Sequence, residues 1–327
     1  MDGRRHHVFI LLISIVPLLG VFAAMILLWN RYFHLSDLVA FVAMYIVAGL
    51  GVSTGYHRLF AHRAFKTSRP LRIFFAVAGS IGAQGPALIW TAHHRRHHRV
   101  ADKAGDPHSP YLDLEPGTKA GLKGLWHAHL GWLFDKELTS DPVRYCPDLA
   151  RDKDIRWASN NFAWLVLLGI VLPGFIGLAV GHTPASFLTG MLWGGLVRIF
   201  VGNHATYAVN SIGHVFGSRR FSTPDESRNN GWLAVLSFGE SWHNNHHAFP
   251  RSARHGLRWY ELDISAIVIK VLEQLHLVHD VIRIDRARQS QRQAVWAPTG
   301  GGRFARSTPA KPLAESATNT VGIVDVE

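Results

Sequence analysis

The sequence predicts an all-α integral membrane protein, with four transmembrane helices and a cytoplasmic helical cap that carries a histidine-rich dimetal site. Three observations carry this. The 327-residue chain is 48% hydrophobic and only 17% charged, apolar for a soluble domain. Its apolar residues gather into runs of membrane-spanning length. Just beyond those runs lie three short stretches dense in histidine: HRLFAH, WTAHHRRHH and GESWHNNHHAFP.

Residues 8–29, VFILLISIVPLLGVFAAMILLW, are uncharged. At about 1.5 Å per residue they can cross a hydrocarbon layer about 30 Å thick. A signal peptide would have an apolar core of only about 7–15 residues followed by a small-residue cleavage site, so the run reads as a retained anchor. Further spans fall at 38–56, 162–180 and 185–203. Arg198 interrupts the last of these and is expected to mark where that helix leaves the bilayer, with an Arg facing the bundle interior as the alternative. The run 71–90 is also long enough, but a crossing there would put HRLFAH and HHRRHH on opposite sides of the membrane. Its three Gly and one Pro also weaken it as a straight helix, so it is read as an interfacial or re-entrant segment.

Arg and Lys concentrate before the first span, in 58–156 and after 217, so the positive-inside rule puts both termini and the histidines on the cytoplasmic side. The same loops explain the net charge of +11; no nucleic-acid-binding motif is found, and anionic lipid is the expected partner. The single Cys146 excludes an internal disulfide, a four-Cys zinc site and a built-in iron–sulfur cluster. Any electron donor is therefore a separate protein. Residues 1–295 form the membrane domain, and 296–327, rich in Gly, Ser, Thr, Pro and Ala, read as a disordered tail. The segment DISAIVIKVLEQLH places Ile264, Ile267, Val268, Val271 and Leu275 at helical spacing, an apolar stripe expected to pack under the cap.

His94, His97 and His98 repeat the spacing of His243, His246 and His247, one histidine followed by two more at i+3 and i+4. On a helix such residues share a face, so each triplet can present several ring nitrogens to one point. His93 is the odd member of its run and is expected to point away. His57 and His62, five apart, stand about 140° around an α-helix and would flank a site unless the helix unwinds there. Eight histidines are too many for one ion, and no HExxH motif supports a zinc protease. A dinuclear, redox-active iron site is the economical reading. Glu240–His243 and Glu273–His276 match the Glu-x-x-His motif of ferritin-like diiron bundles, but outside such a bundle the matches read as chance. Isolated histidines, His34, His182, His204, His276 and His279, read as surface or core residues.

The three boxes, in that order and at those separations, together with GDPHSP, HLGW and NSIGH, resemble the membrane fatty acid desaturases, in particular the delta-9, stearoyl-CoA-desaturase-like branch. The resemblance covers about 35–283. It implies a diiron centre held by His57, His62, His94, His97, His98, His243, His246 and His247, with His214 as a ninth ligand and Asn210 holding a metal-bound water. It also implies the reaction: O₂ and two electrons remove two hydrogens from a saturated acyl chain and leave a cis double bond. Gln84 and Trp90, facing Thr206 and Tyr207, match the bend of the family's substrate tunnel; Tyr207 stands where animal members carry Trp.

Other departures bear on the acyl carrier. Ala92 and His93 replace an Arg and an Asp of the animal acyl-CoA enzymes, and Lys136 and Glu137 replace a basic pair. An acyl-lipid is thus an alternative to acyl-CoA. No haem-binding HPGG element is present, so electrons are expected from a ferredoxin or cytochrome with its reductase. A hydroxylase of the same histidine-box superfamily is the nearest rival function, and a membrane metal-binding or transport protein a more distant one.

Overall fold

The computed structural model describes residues 3–29, 33–112, 120–135 and 139–293. Helix α1 (Gly3–Trp29) is followed by α2 (Leu35–Leu50), which runs without a break into a π-helical segment, Gly51–Ala61. After α3 (Arg69–Ile81) and α4 (Ala87–Val100) come four short helices: α5 (Leu122–His129), α6 (Pro142–Tyr145), α7 (Pro147–Arg151) and α8 (Lys153–Asn160). Then follow α9 (Phe162–Gly181) and a long rod made of α10 (Pro184–Gly190), a π-helical stretch Met191–Val197 and α11 (Arg198–Val215). Last come α12 (Gly231–Leu236), α13 (His243–Ala248), α14 (Ile264–Gln274) and α15 (Arg286–Gln291). Strands β1 (Lys66–Thr67) and β2 (Val278–His279) pair antiparallel.

Four helical stretches are long and apolar enough to cross a membrane: Ile10–Leu28, Leu35–Ala61, Phe162–Gly181 and Pro184–Val215. Their outward side chains are those a lipid phase favours. On α2, Leu35, Leu38, Val39, Val42 and Ile46 are exposed, whereas every residue of Gly51–Ala61 is buried. The second stretch therefore passes from a lipid-facing part into the protein interior, and there it delivers the first histidine box. The run 71–90 forms two helices, α3 and α4, of 13 and 14 residues. Between them the chain turns through Ala83 and Gly85, with φ of 59° and 111°, and Pro86 opens α4.

Two expectations are refined. The helix of the fourth stretch does not end near 203: it continues to Val215, and Arg198 lies within it, only 1% exposed. Its guanidinium donates to the carbonyls of Gly169 at 2.8 Å, Ile81 at 2.9 Å and Gly194 at 3.0 Å. Pro173 has no N–H to offer Gly169, four residues before it, and Ile81 closes the last turn of α3, so both carbonyls lack a helical partner. An arginine in the bundle answers that need.

The α14 stripe is only partly covered, with Ile264 and Val268 half-buried. Ile267, Val271 and Leu275 are exposed, while the opposite face buries Ser265 and Ile269 and joins Ser265 Oγ to Ser53 Oγ at 2.7 Å. Periodicity tells which residues share a face, not what that face meets. The segment expected as a tail, 296–327, lies outside the described residues.

Candidate metal centre and acyl cavity

The π-helix decides how the first box is used. Its terminal bond runs from His62 N–H to His57 O at 3.1 Å, five residues back, so residue 62 sits over residue 57 rather than about 140° away. The close approach of α3 fits this geometry: a Cβ on Gly51 would fall 2.2 Å from the carbonyl carbon of Ala78. Arg95 then clasps the segment's end, donating to the carbonyls of Phe60 at 2.7 Å and Ala61 at 2.9 Å while paired with Asp148.

Nine of the ten residues expected at the metal site converge in two buried groups. His57, His62, His94, His98 and His246 form one, and His97, His214, His243 and His247 the other. In the first, His62 Nε2 lies 2.7 Å from His94 Nε2, and His246 Nε2 lies 3.0 Å from His57 Nε2 and 2.8 Å from His98 Nε2. In the second, His214 and His243 are 2.9 Å apart and His97 and His247 3.3 Å apart, again Nε2 to Nε2. The triplets do not each address a single point, as their spacing suggested. The i+3 residue of each turns to the opposite group from its i and i+4 neighbours, so α4 and α13 both straddle the two positions. Asn210 belongs to neither group but lines the adjoining cavities. His93 points away as expected, its Nδ1 lying 3.1 Å from Ser140 Oγ.

Sequence reading missed the carboxylates behind the rings. Asp106 meets His97 Nδ1 at 2.9 Å, Asp225 meets His247 Nδ1 at 3.0 Å, Asp102 meets His214 Nδ1 at 2.7 Å, and Glu240 meets His57 Nδ1. Glu240 is thus no bystander, whereas Glu273 pairs with Arg283 at the surface. Buried Arg58 holds Glu240 and, at 3.0 Å, Asp263, and packs against His255. Asp106 within GDPHSP and Glu240 within GESWHNNHHAFP carried a signal in the sequence; Asp102 and Asp225 carried none.

This arrangement suits metal ions. A carboxylate only accepts, so His97 and His247 carry their protons on Nδ1 and turn bare Nε2 lone pairs toward each other across 3.3 Å. Two lone pairs cannot hydrogen-bond; a cation between them removes the conflict. Nitrogens bound at about 2.1 Å at right angles would stand about 3 Å apart, which matches the spacings here. Burial, reinforced by neighbouring imidazoles, pushes His62, His94, His98, His243 and His246 well below the usual histidine pKa, leaving the neutral form that binds metal. Carboxylate–histidine pairs of this kind orient metal ligands and raise their basicity.

A cavity of about 520 Å³ begins beside Ile10 and Ile13 of α1 and ends at the histidines; a second of about 70 Å³ continues to Tyr45, Ala48, Gly49 and Phe238. Gln84, Trp90, His94, Thr206 and Asn210 line both, which makes them the junction. There Gln84 Nε2 donates to Thr206 Oγ1 at 2.8 Å and Trp90 Nε1 donates to Gln84 Oε1 at 3.3 Å. Tyr207 lines the larger cavity and packs with Ile10 and Leu133. Lys136 and Glu137 lie outside the described residues.

Four helices of membrane-spanning length, two histidine clusters and an apolar cavity leading to them are what oxidation of an acyl chain requires. The sequence model of the fatty acid desaturases matches residues 35–274, and the chain belongs to that family. It is 43% identical to the hex-5-enoyl-(acyl-carrier protein) acetylenase of Moorena producens over 272 residues, 83% of this chain and 84% of that one. It is 41% identical to delta-9 acyl-lipid desaturase 1 of Arabidopsis thaliana over 254 residues, 77% of each chain. It is also 38% identical to the sn-1 stearoyl-lipid 9-desaturase of Synechocystis, covering 74% of this chain and 70% of that one. The protein is an oxidoreductase of the desaturase type.

Proposed function

We propose that this enzyme places a cis double bond at the delta-9 position of a saturated acyl chain esterified in a membrane lipid. The observation that carries the reading is the junction of the two cavities against the histidine clusters, which sets one stretch of a bent chain beside the metal site. In balance, –CH₂–CH₂–, O₂, two electrons and two protons become cis –CH=CH– and two waters.

The nine histidines would hold two irons, with Asn210 placed to carry a bound water, and the irons would supply the O₂ activation and C–H oxidation that no protein acid or base can perform. The residues do the rest. Asp106, Asp225, Asp102 and Glu240 keep protons on the outer ring nitrogens and so hold the inner ones toward the metals. The Gln84–Thr206–Trp90 bonds fix the bend, and Tyr207 forms part of the wall before it. Tyr45 and Phe238 line the far end, where the chain stops.

A lipid carrier is favoured over acyl-CoA because the larger cavity's lining contains no Lys or Arg among the described residues, and one wall is a membrane helix. Two of the similar enzymes are named for acyl-lipid substrates. The basic loops support a cytoplasmic active site with both termini on that side, served by a ferredoxin or cytochrome with its reductase. The test is mass spectrometry of lipid classes, with double bonds located, in aerobic cells expressing the protein or its His246→Ala variant. New delta-9 monoenes in glycerolipids with the parent alone support the reading. Hydroxylated or acetylenic chains would replace the reaction, and monoenes appearing first in the acyl-CoA pool would replace the carrier.

A further inference from the structure

The desaturase reading needs electrons from outside, and the histidines that must receive them are buried. The third-box helix α13 lies beside a strongly charged surface. Asn244, next to His243, accepts the backbone N–H groups of Arg220 and Phe221 on its Oδ1, both at 2.8 Å. Arg292 donates to the carbonyl of Ala248, the residue after His247, and lies 5.7 Å from the Phe249 ring. The chain around Arg292 is stitched to the same loop, its carbonyl accepting from Ser222 N at 3.1 Å. Arg220 Nη2 in turn donates to Gln289 of α15 at 3.2 Å. Gln289 follows the exposed Arg286 and Arg288.

These contacts hold Arg220 and Arg292 against α13 and set α15, with its exposed Arg286 and Arg288, beside Arg220, whose guanidinium also feels the exposed Arg258. Burial and the charge of Arg258 both depress the Arg220 guanidinium, the mark of crowded cations. Against these arginines stand Glu226, paired with Arg219 and Arg228, Glu261, paired with Arg220 at 3.8 Å, and Asp285, which caps the N-terminus of α15. The arginines outnumber these carboxylates, so the surface is net positive, and Arg220 and Arg292 each hydrogen-bond a residue next to a third-box histidine: Asn244 beside His243 and Ala248 beside His247.

We propose that this arginine face beside α13 is the docking surface for an acidic one-electron carrier protein. The proposal rests on the desaturase reading. Complementary charge speeds encounter and fixes orientation, and proximity to α13 gives electrons a short route: the hydrogen bonds from Arg220 and Phe221 to Asn244 lead into the helix that bears the histidines.

The test uses the full-length, iron-loaded protein in phosphatidylcholine vesicles, with a plant-type two-iron two-sulfur ferredoxin and its reductase as donor, comparing the parent with the Arg286→Glu/Arg288→Glu double variant. The KM for ferredoxin is expected to rise about 10-fold in the variant, with kcat little changed and the salt dependence flattened. A single turnover started by dithionite reduction and then O₂ should give equal product in both. Equal ferredoxin KM and equal salt response in parent and variant would overturn the docking site. Failure of the parent in the dithionite turnover would instead strike the desaturase reading beneath it.

Discussion

His57 and His62 stand with ring centroids 4.8 Å apart because the His62 N–H reaches back five residues to the His57 carbonyl. One π-helical turn thus puts both rings into one group, while α4 and α13 divide their histidines between two. Each substitution should therefore empty one metal position, not both. His62→Ala and His243→Ala are each expected to lower bound iron from about two per chain toward about one, and the double variant to remove nearly all of it, because an ion loses affinity when its own ligand set is broken. Iron analysis after purification, with zinc measured in parallel, checks this. Complete loss from either single variant would show that the two positions fill only together.

The carboxylates behind the rings should matter nearly as much as the ligands. Asp225, 3.0 Å from His247 Nδ1, is held well below the usual carboxylate range: burial opposes its charge, but the paired imidazole and the hydrogen bonds it accepts outweigh that. Asp225→Ala is expected to weaken metal retention or activity about 10- to 100-fold, and Asp225→Asn less, since an amide can keep part of the geometry. Chelator competition separates lost affinity from lost turnover.

What the sequence made legible follows from distance along the chain. Short-range patterns were readable: the apolar runs, the triplet spacing, His93 turning away. The exception at close range was HRLFAH, whose five-residue spacing makes sense only once Gly51 and Gly55 let α3 press against the helix and the turn widens. The pairings of Asp102 with His214 and Glu240 with His57 were not readable, since they join residues more than a hundred positions apart and neither carboxylate sits at a ligand spacing from its partner. The partners of Arg198 were hidden for a related reason: the carbonyls of Gly169 and Ile81 that it binds come from other helices.

Removing that guanidinium should cost stability rather than chemistry. Arg198→Met strands two buried carbonyls that no helix bond can satisfy, at about 1–3 kcal/mol each. A loss of about 2–5 kcal/mol is expected, with Arg198→Lys intermediate because an ammonium cannot span the same three acceptors. Thermal unfolding in detergent at matched iron loading provides the comparison, and an unchanged midpoint for Arg198→Met would sink the argument.

Asp148 should give the cap an acid limit. Burial would raise its pKa, but hydrogen bonds from Arg95 and Arg63 win and hold it at about 2. A lowered folded-state pKa means stabilisation that is complete above the unfolded value, near 4, and is lost as pH falls toward 2. Because Arg95 also holds the carbonyls of Phe60 and Ala61, protonating Asp148 loosens the end of the π-helix. Thermal stability is expected to lose this contribution between about pH 4 and pH 2 in the parent. Asp148→Asn should lack it throughout and show a shallower decline over that range. Partial exposure of the pair makes the effect modest.

The bend should govern where the double bond falls. Gln84 joins Thr206 on one wall of the cavity junction to Trp90 on the other, so the angle at which a chain passes the histidines depends on one amide. Gln84→Leu keeps the apolar volume but deletes both bonds, leaving the Thr206 hydroxyl with only the Gly202 carbonyl. With the junction no longer tied, an acyl chain can shift by a methylene or more past the metal site. The variant is expected to retain iron and turnover within about 10-fold while spreading products over neighbouring positions, since small misplacements of a substrate alter outcome more readily than binding. Location of double bonds by mass spectrometry checks this. A single unchanged position from Gln84→Leu would mean that the chain is indexed elsewhere, most plainly by the far lining at Tyr45 and Phe238.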